Sequence, residues 1–268
     1  MPLSALAAKT GRTLRPVFFG DRYRAAGTHF AFGALIALAL FWLVRFAWYP
    51  DALFDALNAR SLTLAVIAVL VLGGPLALLV VFLPGKRGLA FDLVAIAVLE
   101  TAAVAAGMWL LFDGRPVYLV FVKDRFELVR PHDFPESELA RAHASPYLDM
   151  PRAGPDVVGS RFPKDNAERQ RIMFLGSSGV DLQHMPQHYV PFEEVRAEVL
   201  ARAEPLSRLA ALNPGREPEI DAIAEASGVP REAIVFLPMR VGPRDLTVLL
   251  DRRGGRRFNI GALRPWEY

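Results

Sequence analysis

The chain has 268 residues, no cysteine, 53% hydrophobic and 22% charged residues, and a mean hydropathy of +0.25, which is too apolar for an ordinary soluble domain of this length. The absence of cysteine excludes a disulfide framework, a thiol nucleophile, an iron–sulfur cluster and every Cys-containing zinc site. The net charge of +3 divides unevenly: residues 1–112 carry 9 Lys+Arg against 5 Asp+Glu (+4), and residues 113–268 carry 22 against 23 (−1). A nucleic-acid binder needs its excess on a folded polar face, so no nucleic-acid partner is expected.

Three apolar stretches reach membrane length, at about 27–48, 62–83 and 93–112, each about 20 residues and so roughly 30 Å as a helix. The second carries no charge. The first carries only Arg45, near its far end where a long side chain snorkels to the interface, and the third carries Glu100. The first stretch ends on Phe46-Ala47-Trp48-Tyr49-Pro50. Bulky aromatics in place of a small-x-small cleavage site favour an uncleaved anchor over a signal peptide.

Basic residues beside membrane spans are held on the cytoplasmic side. Lys9, Arg12, Arg15, Arg22 and Arg24 precede the first span with one acid, Asp21; Lys86 and Arg87 lie between the second and third; Asp51, Asp55 and Arg60 lie between the first and second. This bias predicts a cytoplasmic basic arm (1–26), a three-helix transmembrane domain (27–112) and a domain (113–268) on the outer side, which is the periplasm in a Gram-negative bacterium. The lipid bilayer is therefore an expected partner.

Beyond Arg115-Pro116, the run 117–122 is β-branched and aromatic and reads as a strand. Residues 133–164, rich in Pro, Gly and charge, read as an irregular excursion, and 172–175 as a short strand. Residues 193–202, 206–212 and 218–227 read as helices, with a break at Pro205 and a stop at Gly228. Strands are expected at 234–238, 246–250 and 258–260, the last two joined through Gly254-Gly255. The predicted fold is thus an α-helical membrane domain of three transmembrane helices followed by a small α+β periplasmic domain.

Phosphate-loop, dinucleotide-binding and zinc-protease motifs are missing. Gly176-Ser177-Ser178-Gly179 is one residue short of a nucleophile elbow and reads as a turn. His184 and His188 have the spacing of a helical metal pair, but Pro186 separates them. His132 and His143 read as solvent-facing. No catalytic residue, cofactor or metal is assigned, and an enzyme is not expected.

Glu100 is the most informative single residue, because an intramembrane carboxylate is costly and usually has a partner or a role. One reading is a hydrogen bond to a neighbouring helix, to His29 or Thr28. The other is contact with a polar group on another protein's membrane helix. Small residues that permit close helix approach lie nearby: Ala102, Ala103, Ala106 and Gly107 on the third span, and the series His29, Gly33, Ala37 on the first.

The order Gly27-x-His29, Trp48-Tyr49-Pro50, Gly74-Pro75-Leu76, Pro84-Gly85-Lys86, Asp92-Leu93, Gly107, Arg115-Pro116, Leu119-Val120-Phe121 and Asp124-Arg125-Phe126 resembles the TfpX/TfpZ family of type IV pilin accessory proteins. The match spans about 22–130, and the closing Pro265-Trp266 is also similar. Leu70 and Glu100 depart from the pattern, which has Asp and Gln there, and residues 1–20 are an extension. The resemblance implies an inner-membrane, multi-pass, chaperone-like protein that acts with a type IV pilin in pilus biogenesis and has no catalytic residues. On that basis Glu100, His29, Gly33, Ala37, Ala103 and Gly107 are candidate pilin contacts or intramembrane polar positions. The rival expectation is a membrane-anchored periplasmic enzyme acting on pilin or envelope glycan through acids and histidines of the 132–188 region.

Overall fold

A computed structural model describes residues 17–83, 86–242 and 244–267. The basic arm residues Lys9, Arg12 and Arg15, and Pro84-Gly85 of the second loop, lie outside the described residues. The chain divides into two compact units, one of residues 1–40 and 64–107, the other of residues 41–63 and 108–268.

Among the described residues, three helical stretches are long and apolar enough to cross a membrane: Gly20–Trp48, Ala59–Val81 and Leu89–Asp113. The first comprises helix α1 (Val17–Trp42) and a terminal π-helical segment, Leu43–Trp48. Arg22 and Arg24, read from sequence as part of an arm, are therefore helical. A short helix α2 (Leu53–Ala56) follows in the loop. The second stretch is α3 (Ala59–Ala68), a π-helical segment Val69–Gly73, and α4 (Gly74–Val81); the third is α5 (Leu89–Asp113). The π segment in mid-span sits directly before Pro75, which has no N–H for the carbonyl four residues back and crowds it, the usual cause of such a register change.

Within the helical unit the second stretch is central. Its buried positions Val66, Leu70, Gly74 and Leu78 form one stripe at helical spacing. Side chains buried on α1 are small: Ala26 and Ala37, with Gly33 between them. Large side chains such as Phe32, Leu35, Phe91 and Leu99 point outward, where lipid replaces water as their solvent.

The other unit is built on one mixed sheet. Its strands are β1 (Tyr118–Val122), β2 (Arg125–Val129), β3 (Asp156–Ser160), β4 (Tyr189–Pro191), β5 (Glu204–Pro205), β6 (Ile234–Val241), β7 (Arg244–Asp251) and β8 (Arg257–Gly261). They run in the order β4-β3-β1-β2-β6-β7-β8, with β5 paired to β6; β1 lies parallel to β3 and β2 parallel to β6. Strand alternation sorts the core. Leu119 and Phe121 of β1 and Val235, Leu237 and Met239 of β6 face helix α8 (Phe192–Arg202) through Val195 and Val199. On the opposite face, Tyr118 and Val120 join an aromatic cluster with Phe134, Tyr147 and Tyr189. Ile234 and Phe236 meet α9 (Leu206–Leu212) and α10 (Glu217–Ser227), which ends on Gly228 at φ +64°.

Two sequence expectations are corrected here. Residues 172–175 are not a strand but the end of helix α7 (Asn166–Gly176). Asp165 caps it by accepting from the N–H groups of Ala167 and Glu168, and only Ile172 of the apolar run is buried while Met173 and Phe174 are exposed. The 133–164 excursion contains helix α6 (Glu136–Arg141) and β3, whose apolar core of two valines is too short to show a period.

The loop between the first two membrane stretches belongs to the sheet unit. Leu53 is fully buried in the core with Val248 and Ile260. The Ala52 N–H donates to the Ile260 carbonyl at 3.1 Å, and Asp51 accepts from Arg257 at 2.9 Å and from the Ile260 N–H at 3.2 Å. The loop thus covers the edge strand β8. Residues 41–63 and 108 onward share one core.

Candidate intramembrane polar site

Glu100 stands near the middle of α5, with residues 89–99 before it and 101–113 after. Its carboxylate Oε2 lies 3.1 Å from His29 Nε2 on α1. Of the two partners weighed from sequence, the structure selects His29. The Glu100 side chain is only 11% exposed and that of His29 33%, so the pair is largely removed from its surroundings.

Space for the pair is supplied by the second span. A β-carbon at Gly74 would stand 2.4 Å from His29 Cε1 and 2.6 Å from Glu100 Oε2, so the position admits no side chain while the pair is in place. Pro75 and the π segment before it set the register that brings Gly74 there. Two other glycines make the close helix contacts. A β-carbon at Gly33 would lie 2.6 Å from the Leu70 carbonyl oxygen, and one at Gly107 would lie 2.3 Å from Val66 Cγ2. Gly33, Gly107 and the buried Ala37 are thus packing positions within the unit, whereas Ala103 is exposed.

The pair leaves two polar atoms over. His29 Nδ1 and Glu100 Oε1 are both buried without a hydrogen-bond partner, an arrangement that is costly in an apolar setting. Beside them a cleft of about 370 Å³ runs between α1 and α5, lined by His29, Gly33 and Ile36 on one side, by Ala97, Glu100, Thr101 and Ala105 on the other, and floored by Leu70.

The remaining motif positions have structural roles in the sheet unit. The Tyr49 hydroxyl donates to the Leu111 carbonyl at 2.7 Å, and the Trp48 ring packs edge-on against Phe112 with centroids 5.3 Å apart. Burial pushes the Tyr49 phenol well above its ordinary range, outweighing the nearby Arg130 and Arg115. Arg115, 5% exposed, lies over the Phe112 ring and donates to the carbonyls of Phe112 and Pro151 at 2.6 and 3.2 Å, and Pro116 beside it is buried. Pro50 follows at the turn where Leu53 N–H donates to its carbonyl. Asp124 lies in the β1–β2 turn and Arg125 opens β2, where it reaches Asp124 at 3.4 Å, Glu127 at 3.3 Å and the Trp266 ring.

A charged network that sequence reading missed ties α6 to α7. Glu138, 2% exposed, accepts from Arg171 at 2.6 and 3.0 Å and from Gln187 at 2.8 Å. Arg171 also reaches Glu168, which is shared with Arg141 and lies 3.3 Å from His188 Nε2. Hydrogen bonds from Arg171 hold the Glu168 carboxyl down at about 2. Burial alone would raise Glu138, but the bonds from Arg171 and Gln187 outweigh it and leave it below its ordinary value. His184 and His188 do not converge: His184 Nδ1 accepts from the Asp181 N–H at 3.3 Å, while His188 turns to Glu168. The Ser177 and Ser178 hydroxyls donate to carbonyls of α7 at its end, which is the turn expected there.

The chain is 25% identical over 234 residues to the fimbrial assembly protein of serogroup E1 of Dichelobacter nodosus, covering 85% of this chain and 90% of the relative. The serogroup I protein of the same organism matches with the same identity and coverage. The fimbrial assembly protein of serogroups C1 and C2 is 27% identical over 121 residues, which is 44% of this chain and 92% of that relative. No family model and no solved structure matches the chain.

Proposed function

We propose that this chain is an accessory protein of type IV pilus biogenesis that binds its cognate pilin in the bacterial inner membrane before assembly and tunes pilus assembly or retraction. The observation that carries this reading is similarity over most of the chain to proteins named for fimbrial assembly. Three membrane-length helices support a multi-pass seat. Lys86 and Arg87 between the second and third spans, against Asp51 and Asp55 between the first and second, favour a cytoplasmic N-terminus and a periplasmic sheet unit. In this reading the chain acts by binding and not by catalysis, with the three spans meeting the pilin's apolar helix and the sheet unit its periplasmic head.

The test is deletion of the gene combined with affinity capture of the tagged full-length protein from detergent-solubilised membranes. The expected result is a several-fold change in surface pili at unchanged pilin level, with pilin in the captured fraction. Unchanged piliation and no captured pilin would overturn the reading.

A further inference from the structure

We propose that a cavity between the loop after α2, the end of β2 and the β6–β7 hairpin binds the phosphate of an anionic phospholipid on the sheet unit's side of the membrane. The inference goes beyond the proposed function, which names no lipid ligand, and its test does not involve pilin.

The cavity holds about 290 Å³ and lies wholly within the sheet unit. Asn58 enters it from the loop, Leu128, Arg130 and Asp133 from the end of β2 and the turn beyond, and Val241 and Arg244 from the hairpin. These segments meet at the level where the chain enters the membrane. Asn58 directly precedes Ala59, the first residue of the second membrane stretch. On the other side, His132 Nδ1 lies 3.2 Å from the carbonyl of Asp113, the last residue of the third stretch, and His132 adjoins Asp133.

The two arginines are each anchored at one edge and open elsewhere. Asp133 accepts from Arg130 Nε and Nη2 at 3.1 and 3.0 Å, which leaves Nη1 without a protein acceptor among the described residues. Arg244 Nη1 donates to the carbonyls of Asp55 and Ala56 at 3.1 and 2.9 Å. Its Nε and Nη2 have no acceptor, and no carboxylate pairs with it, among the described residues. Asn58, held at φ +57°, adds a side-chain amide that bonds to none of the described residues. Two guanidiniums against one carboxylate leave the lining net positive.

Donors converging from three segments call for an anion with acceptor oxygens on several sides. A tetrahedral phosphate has them and matches the guanidinium fork, whereas a carboxylate offers two oxygens in one plane. The depth of the cavity along the chain selects the source, because the headgroup layer begins where the apolar spans end. Its volume is near the roughly 300 Å³ at which small-molecule sites begin, enough for a headgroup while the acyl chains stay in the bilayer.

The test titrates full-length protein in detergent with phosphatidylglycerol, phosphatidylcholine and diacylglycerol of the same acyl chains, and counts bound lipids by native mass spectrometry. Diacylglycerol lacks the phosphate, and choline offsets its charge. One phosphatidylglycerol is expected to bind about tenfold more tightly than diacylglycerol, the loss of one charge-assisted hydrogen bond accounting for that factor, with phosphatidylcholine between them. Arg244→Gln is expected to remove most of the margin and Arg244→Lys to keep part of it. Because Arg244 also ties down the α2 loop, a second variant leaves that tie alone: Asn58→Asp, which tolerates the left-handed backbone, places a negative charge in the cavity and is expected to abolish the margin. Arg60→Gln is the control, since Arg60 is close in the chain, pairs with Asp55 at 3.1 Å and does not line the cavity; it is expected to leave the margin unchanged.

Equal binding of the three lipids, or a margin retained in both Arg244→Gln and Asn58→Asp, overturns the site. A loss in Arg60→Gln as large as in Arg244→Gln overturns it as well, because the attraction would then be diffuse surface charge. Inorganic phosphate is expected to displace the lipid only in large excess; displacement at equal concentration would overturn the lipid assignment in favour of free phosphate.

Discussion

The two units are held together by opposite means. In the sheet unit the fully buried positions are large, such as Tyr118, Phe126, Phe236 and Leu209, and the core is the bulk that these side chains remove from water. In the helical unit Gly33, Gly74 and Gly107 sit where an added β-carbon would collide with a neighbouring helix, and many large side chains face outward. Lipid is as apolar as leucine, so burying leucine between membrane helices gains little, and close backbone approach is what remains to be gained. The same contrast governs the acids. Glu138 lies in the sheet unit with both carboxylate oxygens bonded to Arg171 and one also to Gln187, whereas Glu100 has one oxygen at His29 and one with no partner.

Removing bulk is therefore expected to damage the sheet unit most. Phe236→Ala empties a position 1% exposed between β6 and α9–α10 and is expected to cost about 3–5 kcal/mol. Denaturant unfolding of the full chain in detergent, followed through sheet-unit circular dichroism, measures it; a loss below about 1 kcal/mol would show that this layer is not a core. Next in size is Arg171→Met, which leaves Glu138 buried with Gln187 as its remaining donor and is expected to cost about 3 kcal/mol. The double variant Arg171→Met with Glu138→Leu should recover part of that loss, because it removes the stranded charge.

Adding bulk is the matching test in the helical unit. Gly33→Ala drives a methyl group against the Leu70 carbonyl, a backbone atom that cannot rotate away, and is expected to cost about 1–3 kcal/mol. Gly107→Ala meets only the tip of Val66 and should cost less. Thermal melts of both in the same detergent check the order, and equal melting temperatures would remove the distinction between backbone and side-chain contact.

Much of this architecture is legible in the sequence, and the exceptions have physical causes. The spans are visible because hydropathy over twenty residues leaves few alternatives. Helices α8 to α10 are visible because Pro205 and Gly228 punctuate them. The run 172–175 misleads because four apolar residues carry no period; the deciding features are the Asp165 cap and the Glu168–Arg171 pair upstream. The membership of Leu53 in the sheet core is a long-range fact that no local pattern records. Glu100 stands out from sequence as a charge in an apolar run, and His29 is one of two partners within view. Gly74 is different: its contribution is the space it leaves, and only the positions of His29 and Glu100 around it reveal that.

The smallest expected effect concerns pH and the tie between α6 and α7. Arg171 holds the Glu168 carboxyl at about 2, below its ordinary 4.5. A depressed carboxylate contributes stability that is complete above its unfolded value and is lost as pH falls through the window from about 4.5 to about 2. Between pH 6 and pH 4 only the upper edge of that window is crossed, so Glu168 accounts for about 1 kcal/mol over this range. The Glu168 side chain is 16% exposed, so solvent screening takes only part of this. Thermal melts of the full chain at the two pH values, repeated with Glu168→Gln, isolate the contribution. The wild type should lose more than the variant, and the difference should shrink in high salt by less than it would for an exposed pair. Equal losses would mean that the Glu168 carboxylate is not held by Arg171.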